Sequence, residues 1–504
     1  MQTLEAIFAA SVAVHGDRVA IDVPAGRHRE ADRVTYAELD DRARGVAEAI
    51  DAAAGGTRAE GGTRQEVVIV VLPRDGVEVY AAQLGILRGG RAWCCLDPIH
   101  PDAHLAAVIA DVSPVVIISD HHHRGRVQAL SGAIPVVDVG AIPAPGRAVA
   151  PVTTKPGDLA YVISTSGTTG APKGVMVRHA SIAALVEADR TRFGLGPGDR
   201  VAQCSSNAYD SSIEETWMAL AVGATLVPVD DDVVRSGPDL PSWLRAHRIT
   251  AFCPPPTLLR AMGVADPARE LPALRLVYVG GEPLPQDLSD LWSAALRLEN
   301  GYGPTECTVT CTRGRMQPGV PVHLGDAVPG SRAIIVREDG SETNDGEEGE
   351  LWMAGLCVAD GYLGQPGLTA QRFAVDPRHG RVYRTGDLVR RSGGSIEYLG
   401  RIDAQVKVRG HRVELGAVEA CLAGAHGVRE AACALVGEGS GARLGAVVVG
   451  ETVDLESVLT HARNHLPPAM VPAFLHEAAS LPRMLSGKLD RRAVAGMLAQ
   501  GPID

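Results

Sequence analysis

Ser164-Thr165-Ser166-Gly167-Thr168-Thr169-Gly170-Ala171-Pro172-Lys173-Gly174 stands directly behind Leu159-Ala160-Tyr161-Val162-Ile163, an apolar run that predicts a buried strand. Hydroxyl side chains, three glycines and one lysine crowd into eleven positions. Glycines let backbone N–H groups face an anion with no side chain in the way, and hydroxyls add donors. A lysine adds a compact positive charge, so the partner this stretch suits is a polyphosphate. It is not a Walker A loop, because Ala171-Pro172 separates Gly170 from Lys173 and Gly174 follows the lysine. A solvated linker is the alternative, but linkers seldom follow a buried strand at once or carry Pro-Lys-Gly.

Working outward, the chain on both sides alternates strand and helix. Upstream, Val67–Leu72, a helix to Arg88, Ala92–Leu96, a helix through Ala110 and Val115–Ser119 predict a parallel sheet covered by helices. Downstream, strands are expected at Val201–Cys204, Ala224–Val229, Thr250–Cys253 and Leu274–Val279, giving a second doubly wound layer to about residue 310. Ala333–Val336, Gly349–Met353, Val382–Leu388 and Ser395–Leu399 then read as a small β-rich subdomain. The fold class expected is α/β: a large N-terminal domain, 1–401, and a smaller α+β C-terminal domain, 402–504. Thr35 with Glu38 reads as a helix capping box, and His121-His122-His123 as a solvated loop.

Composition narrows the function. The chain has 504 residues, 45% of them hydrophobic, and a net charge of −12, which argues against nucleic acid or anionic membrane as the main partner. Only four of its 48 basic residues are lysine, at positions 155, 173, 407 and 488. In so arginine-rich a chain each lysine is a candidate for chemistry needing a compact ammonium, although Lys155, beside a Pro-Gly turn, reads as a surface residue. The nine cysteines include no Cys-x-x-Cys pair and lie mostly in apolar runs, as small buried hydrophobes in a reducing compartment do. With no signal-peptide pattern at Met1-Gln2-Thr3-Leu4-Glu5 and no run long enough to span a bilayer, a cytoplasmic location is expected.

Further motifs follow in order. Asn300-Gly301-Tyr302-Gly303-Pro304-Thr305-Glu306 offers an amide, an aromatic ring, a hydroxyl and a carboxylate suited to Mg2+. Tyr383-Arg384-Thr385-Gly386-Asp387-Leu388 places a carboxylate where it could accept two ribose hydroxyls. With Leu87-Arg88-Gly89-Gly90-Arg91-Ala92-Trp93, Gly400 to Gly410, Leu466 to Pro472 and Ser486 to Arg491, the set resembles the adenylate-forming superfamily from Val34 to about Arg492. That superfamily holds acyl-CoA synthetases, firefly-type luciferases and nonribosomal-peptide adenylation domains. Tyr209-Asp210-Ser211-Ser212-Ile213-Glu214 is similar to the segment with which amino-acid-activating members hold the substrate's amino group. Two departures are Cys94-Cys95, where a Tyr-Leu or Tyr-Val pair is usual, and Ser486, where asparagine is usual.

The resemblance implies a ligase that uses ATP and Mg2+ to convert an amino acid to aminoacyl-AMP and pyrophosphate. It then passes the acyl group to the phosphopantetheine thiol of a separate carrier protein, so the chain is expected to be free-standing, with room for a small helper protein. Carried over residue by residue, Lys488, Thr165, Lys173 and Glu306 are the catalytic set, with Glu306 on the metal. ATP would meet Thr165, Ser166, Gly167, Thr168, Thr169, Gly170, Lys173, Gly280, Gly281, Glu282, Asn300, Gly301, Tyr302, Gly303, Thr305, Asp387, Arg401 and Lys488, and Asp403 would be the hinge. The substrate would meet Asp210, Ser211, Glu214, Cys253, Val277, Val279, Gly301, Val309 and Thr310. Asp210 and Glu214 are four apart and share a helix face, so a second acid behind the α-ammonium site points to a cationic side chain, as in a diamino or β-amino acid. A capping box at Ser212 and Glu215 would leave Glu214 free for that role. The alternatives are an acyl- or aryl-CoA ligase of the same fold and a non-catalytic ligand-binding relative.

Overall fold

The computed structural model describes residues 2–26, 30–55, 66–143, 153–166, 172–402, 405–408, 411–437, 442–483 and 489–500. The described chain forms two compact units. One comprises Met1–Pro98, Val112–Ser164 and Gly174–Ile402; the other begins at Asp403 and also takes in Ile99–Asp111 and Thr165–Lys173.

The larger unit is built on two extended sheets and a smaller one. A seven-stranded sheet runs Gly361–Tyr362, Pro172–Arg178, Leu159–Ser166, Ala92–Leu96, Val67–Val71, Val116–Ser119, Val136–Asp138 across its width. Its central strands are buried at every position, which is why their sequences are unbroken apolar runs and not alternating ones. Cys94 and Cys95 sit fully inside it as small hydrophobes. A nine-stranded sheet has six parallel central strands, in the order Arg297–Tyr302, Leu276–Val279, Ala251–Phe252, Arg200–Gln203, Thr225–Pro228, Val19–Val23.

Alternation along the strands assigns each face to a core. Val68 and Val70 of one sheet, and Val201, Leu276 and Tyr278 of the other, join a single core with the helices Glu78–Arg88, His179–Phe193 and Ser211–Leu220. Ala202, Val277 and Val279 point the opposite way, into a second core with Leu259, Leu288 and Trp292. A five-stranded antiparallel sheet, Ser331–Val336, Glu348–Gly355, Gly380–Ser392, Phe373–Asp376 and Ser395–Arg401, forms the β-rich part.

The smaller unit carries a three-stranded sheet, Val428–Val436, Arg443–Gly450 and Phe474–Glu477. Leu415–Ala423 and Leu455–His465 supply Val418, Leu422, Val458 and Ala462 to a core on one face, while Val494 and Leu498 of Arg491–Ala499 cover Ala432 and Val447 on the other.

Local chemistry explains several boundaries. Thr35 Oγ1 accepts from the Glu38 N–H at 3.2 Å and Glu38 Oε2 accepts from the Thr35 N–H at 2.8 Å, the expected capping box. The three adjacent histidines form a turn, where His123 meets the Asp120 carboxylate. The alternative considered for this segment, a capping box at Ser212 and Glu215, does not form. The helix opens at Ser211, so Ser212 already lies inside it, donating to the Tyr209 carbonyl, while Glu215 accepts from the Cys204 and Ser205 N–H groups. Among the described residues no helix is long and apolar enough to cross a membrane.

The buried Tyr36 hydroxyl donates to the Ala219 and Ala224 carbonyls at 3.1 and 2.7 Å, tying the first long helix to the second sheet layer. Tyr36→Phe should therefore cost about 1–2 kcal/mol of stability. Urea unfolding measures this, and an unchanged midpoint would show the tie carries no weight.

Candidate active site

The site lies at the carboxyl edge of the nine-stranded sheet, because parallel strands all end on the same edge. From Arg200–Gln203 the chain crosses to Thr225–Pro228 on one side, then returns to Ala251–Phe252 on the other. Where successive connections part in this way a crevice opens at the strand ends, the usual ligand position in open α/β sheets. Residues 204–210 and Cys253 follow the two strands at that point; Gly280–Glu282 and Gly303–Glu306 follow the next two.

Glu214, in the first turn of Ser211–Leu220, is the central group. It is 6% exposed, and its Oε2 accepts from Thr310 Oγ1 at 2.9 Å, which in turn accepts from the Tyr278 hydroxyl at 2.8 Å. Its carboxyl also hydrogen-bonds the neighbouring Asp189 side chain. Burial, and then the neighbouring Asp189 carboxylate, push the Glu214 carboxyl well above the usual range; Arg313 pulls the other way. Asp189 and Arg313 form a buried ion pair of their own.

One turn earlier, the Asp210 carboxyl is raised by burial and by the nearby Glu306, against a hydrogen bond from Thr305. Glu306 is fully buried, with the Tyr362 hydroxyl donating to its Oε1 at 2.7 Å. Asp387 lies on Gly380–Ser392 opposite Arg401. Its two oxygens accept from Tyr302 at 2.5 Å and Arg401 at 3.0 Å. Burial and the Asp387 charge push the Tyr302 hydroxyl well up, so it stays protonated and donates.

The backbone wall beside Glu214 is held in an uncommon conformation. Thr308 and Val309 both have positive φ, 55° and 63°, and for a β-branched residue that conformation is a rare outlier. Thr308 Oγ1 donates to the Cys357 carbonyl at 2.7 Å, and Cys311 N–H to the Tyr302 carbonyl at 2.9 Å. A side chain at Gly303 would meet the Val309 carbonyl, and one at Gly301 the Tyr278 ring, so both positions need glycine.

The structure therefore brings Asp210 together with Thr305 and Glu306, pairs Glu214 with Thr310, and joins Tyr302, Asp387 and Arg401. Ser211 is exposed at the helix start, and Cys253 is half-buried with its thiol 3.6 Å from Met218 Sδ. Glu282 accepts from the Thr257 N–H and Asn300 donates to the His323 carbonyl, each at the strand ends expected. Gly280 is half-buried and Gly281, with φ of 80°, exposed. Thr165 is half-buried and Lys173 buried in the adjoining strands. Gly167, Thr168, Thr169, Gly170, Asp403 and Lys488, with the Ser166 side chain, lie outside the described residues.

Val277 and Val279 need correction. Both are buried in the second core, on the face away from Glu214, and Tyr278 between them occupies the Glu214 side. Side chains alternate along a strand, so an assignment off by one residue reverses the face. Asp189, Arg313 and Tyr278 are the residues sequence reading missed.

Two helix-covered sheets with this carboxyl-edge site define an adenylate-forming ligase. An AMP-binding enzyme model matches residues 8–363, so the chain belongs to that family, and it is an adenylation domain of the nonribosomal peptide synthetase type. The probable non-canonical nonribosomal peptide synthetase CymA of Salinispora arenicola is 37% identical over 489 residues, 93% of this chain but 6% of that protein. The chain thus spans a small part of the curated relatives it matches. Holo-AB3403, a four-domain nonribosomal peptide synthetase bound to AMP and glycine, shares 28% identity at a TM-score of 0.70 over 98% of this chain and 36% of its own. Holo-PA1221, an NRPS protein containing adenylation and PCP domains, shares 26% at 0.81 over 98% and 84%.

Thr310→Val keeps the shape but leaves the Tyr278 hydroxyl and Glu214 Oε2 unpaired while buried. It should cost about 1–3 kcal/mol in denaturant unfolding, with Thr310→Ser close to wild type. Equal losses in the two variants would deny the relay.

Proposed function

We propose that this enzyme activates an amino acid with a cationic side chain as its aminoacyl-AMP and transfers it to the phosphopantetheine thiol of a carrier protein. The observation that carries this reading is Glu214: a buried acid, raised by desolvation and by the neighbouring Asp189, one helical turn from Asp210. A buried carboxylate is costly unless a cation joins it. A substrate with two ammonium groups satisfies both acids at once, the α-ammonium at Asp210 and the side-chain ammonium at Glu214. The glycine and AMP in holo-AB3403, and the paired adenylation and PCP domains of holo-PA1221, support an amino acid and a carrier protein as the two partners.

In this reading the substrate carboxylate attacks the α-phosphate of ATP, the bond to pyrophosphate breaks, and the thiol later displaces AMP. The residues supply position and charge. Asp387 accepts from the ribose hydroxyls while Tyr302 and Arg401 fix its orientation. The phosphate loop and Lys173 hold the β- and γ-phosphates, and Lys488 bridges the substrate carboxylate and α-phosphate. Glu306 is a single hard oxygen donor, the kind Mg2+ takes when phosphates supply other ligands, and Tyr362 fixes one of its oxygens. When bound, Mg2+ would offset the negative charge gathering on the phosphates. Positioned cations of this kind provide most of the stabilisation in such transfers.

Substrate-dependent ATP–pyrophosphate exchange across proteinogenic, diamino, β-amino, fatty and aryl acids tests the reading. Exchange should peak with a basic amino acid, fall at least tenfold with Glu214→Ala, and vanish with Asp210→Asn. Exchange only with an acid lacking an amine would move the enzyme to the CoA-ligase branch. A separate expectation concerns Lys488→Ala: it should abolish adenylation yet leave thiol transfer from a preformed adenylate intact. Equal loss in both halves would show that Lys488 does not act as the bridge between carboxylate and α-phosphate.

A further inference from the structure

Glu214 is not the only acid in its surroundings, and a cation already lies within reach of it. The Arg313 guanidinium, from strand Thr312–Arg315, is 3% exposed and acts electrostatically on Glu214. A buried arginine beside a buried glutamate would ordinarily pair with it. Here Arg313 Nη1 donates instead to Asp189 on helix His179–Phe193, a residue 124 positions away and 4% exposed. The guanidinium also lies 5.2 Å from the Phe193 ring centroid.

We propose that Asp189 and Arg313 are specificity-determining positioning residues. Their ion pair engages Arg313 with Asp189, so the guanidinium offsets Glu214 only in part and leaves the pocket acid in need of a cation from the substrate. The inference rests on Glu214 as the partner of a side-chain ammonium, and it extends that role to two residues that touch no substrate.

Charge counting supports it. The cluster holds two acids and one guanidinium, leaving one acid uncompensated. Of the arginines in the last turn of helix His179–Phe193, Arg192 pairs with Glu299 at 2.7 Å and Arg190 with Glu187 at 2.8 Å. Asp210, one turn away, is the further acid near Glu214 and is assigned to the α-ammonium. Tyr278 and Thr310 form the Glu214 relay, and burial holds the Tyr161 hydroxyl and the Cys253 thiol well up and protonated. Burial and the Asp189 charge therefore favour the protonated form of Glu214 where no cation stands beside it. An arriving ammonium displaces that proton, so cationic-substrate binding is linked to proton release and strengthens as pH rises. An uncharged side chain meets the neutral acid with no such dependence.

The two members of the pair should respond in opposite directions. Asp189→Asn frees Arg313 to neutralise Glu214. The kcat/KM ratio for the preferred diamino acid over its uncharged isostere should fall about tenfold or more, the factor carried by a one-unit pKa change. The fall should lie mainly in KM, and KM should lose its decline with rising pH. Arg313→Leu leaves two acids and no cation, so the ratio should hold or rise even where stability drops. The measurement is ATP–pyrophosphate exchange with both substrates between pH 6 and 9, with thermal unfolding of each variant alongside. A purely structural pair would lower activity on both substrates together, and that result, or an unchanged ratio in Asp189→Asn, overturns the proposal. A wild-type enzyme that prefers the uncharged isostere would instead overturn the reading of Glu214, and this inference with it.

Discussion

Parallel strands deliver everything to one edge, and the site depends on that constraint. Six strands of the nine-stranded sheet run the same way, so loops that begin at residues 204, 253, 280 and 303 open side by side although a hundred residues separate them. Asp210, Glu214, Thr305 and Glu306 belong to segments that leave this edge. Covering helices then remove water from the edge, and burial turns ordinary carboxylates into groups whose charge depends on what enters.

The β-rich sheet adds the second half of the site through one strand pairing. Asp387 and Arg401 face each other across two antiparallel strands, and Tyr302 reaches Asp387 from the end of the large sheet. Asp387 thus has a donor on each oxygen and a fixed orientation. The next residue's N–H, at Ile402, bonds to the Gly386 carbonyl, so the large unit remains ordered to its last residue.

Much of this was legible in the chain because apolar periodicity and turn chemistry are local signals. Ala92–Leu96 agrees to the residue, and most other strands within one or two positions. Thr35 and Glu38 cap as their spacing requires. What escaped was long-range or phase-dependent. Val277 and Val279 were misassigned because a strand buried on both faces shows no alternation, leaving nothing in the sequence to say which residues face the pocket. Asp189 and Arg313 carry no local mark: one looks like a helix-surface acid, the other like one more arginine in an arginine-rich chain. Only the packing of helix His179–Phe193 against strand Thr312–Arg315 brings them together.

The wall formed by Thr308 and Val309 has a consequence for how this pocket meets a ligand. Its backbone is held at positive φ by contacts to Cys357 and by the close approach at Gly303, none of which involves a ligand. The backbone on this side of Glu214 is thus set in advance, and little of its conformational entropy remains to be lost when a molecule binds beside it. Such a mould discriminates by the side chains set into it, while the frame stays the same. Retuning what it accepts is then a matter of exchanging a few inlaid groups, without recasting the backbone that carries them.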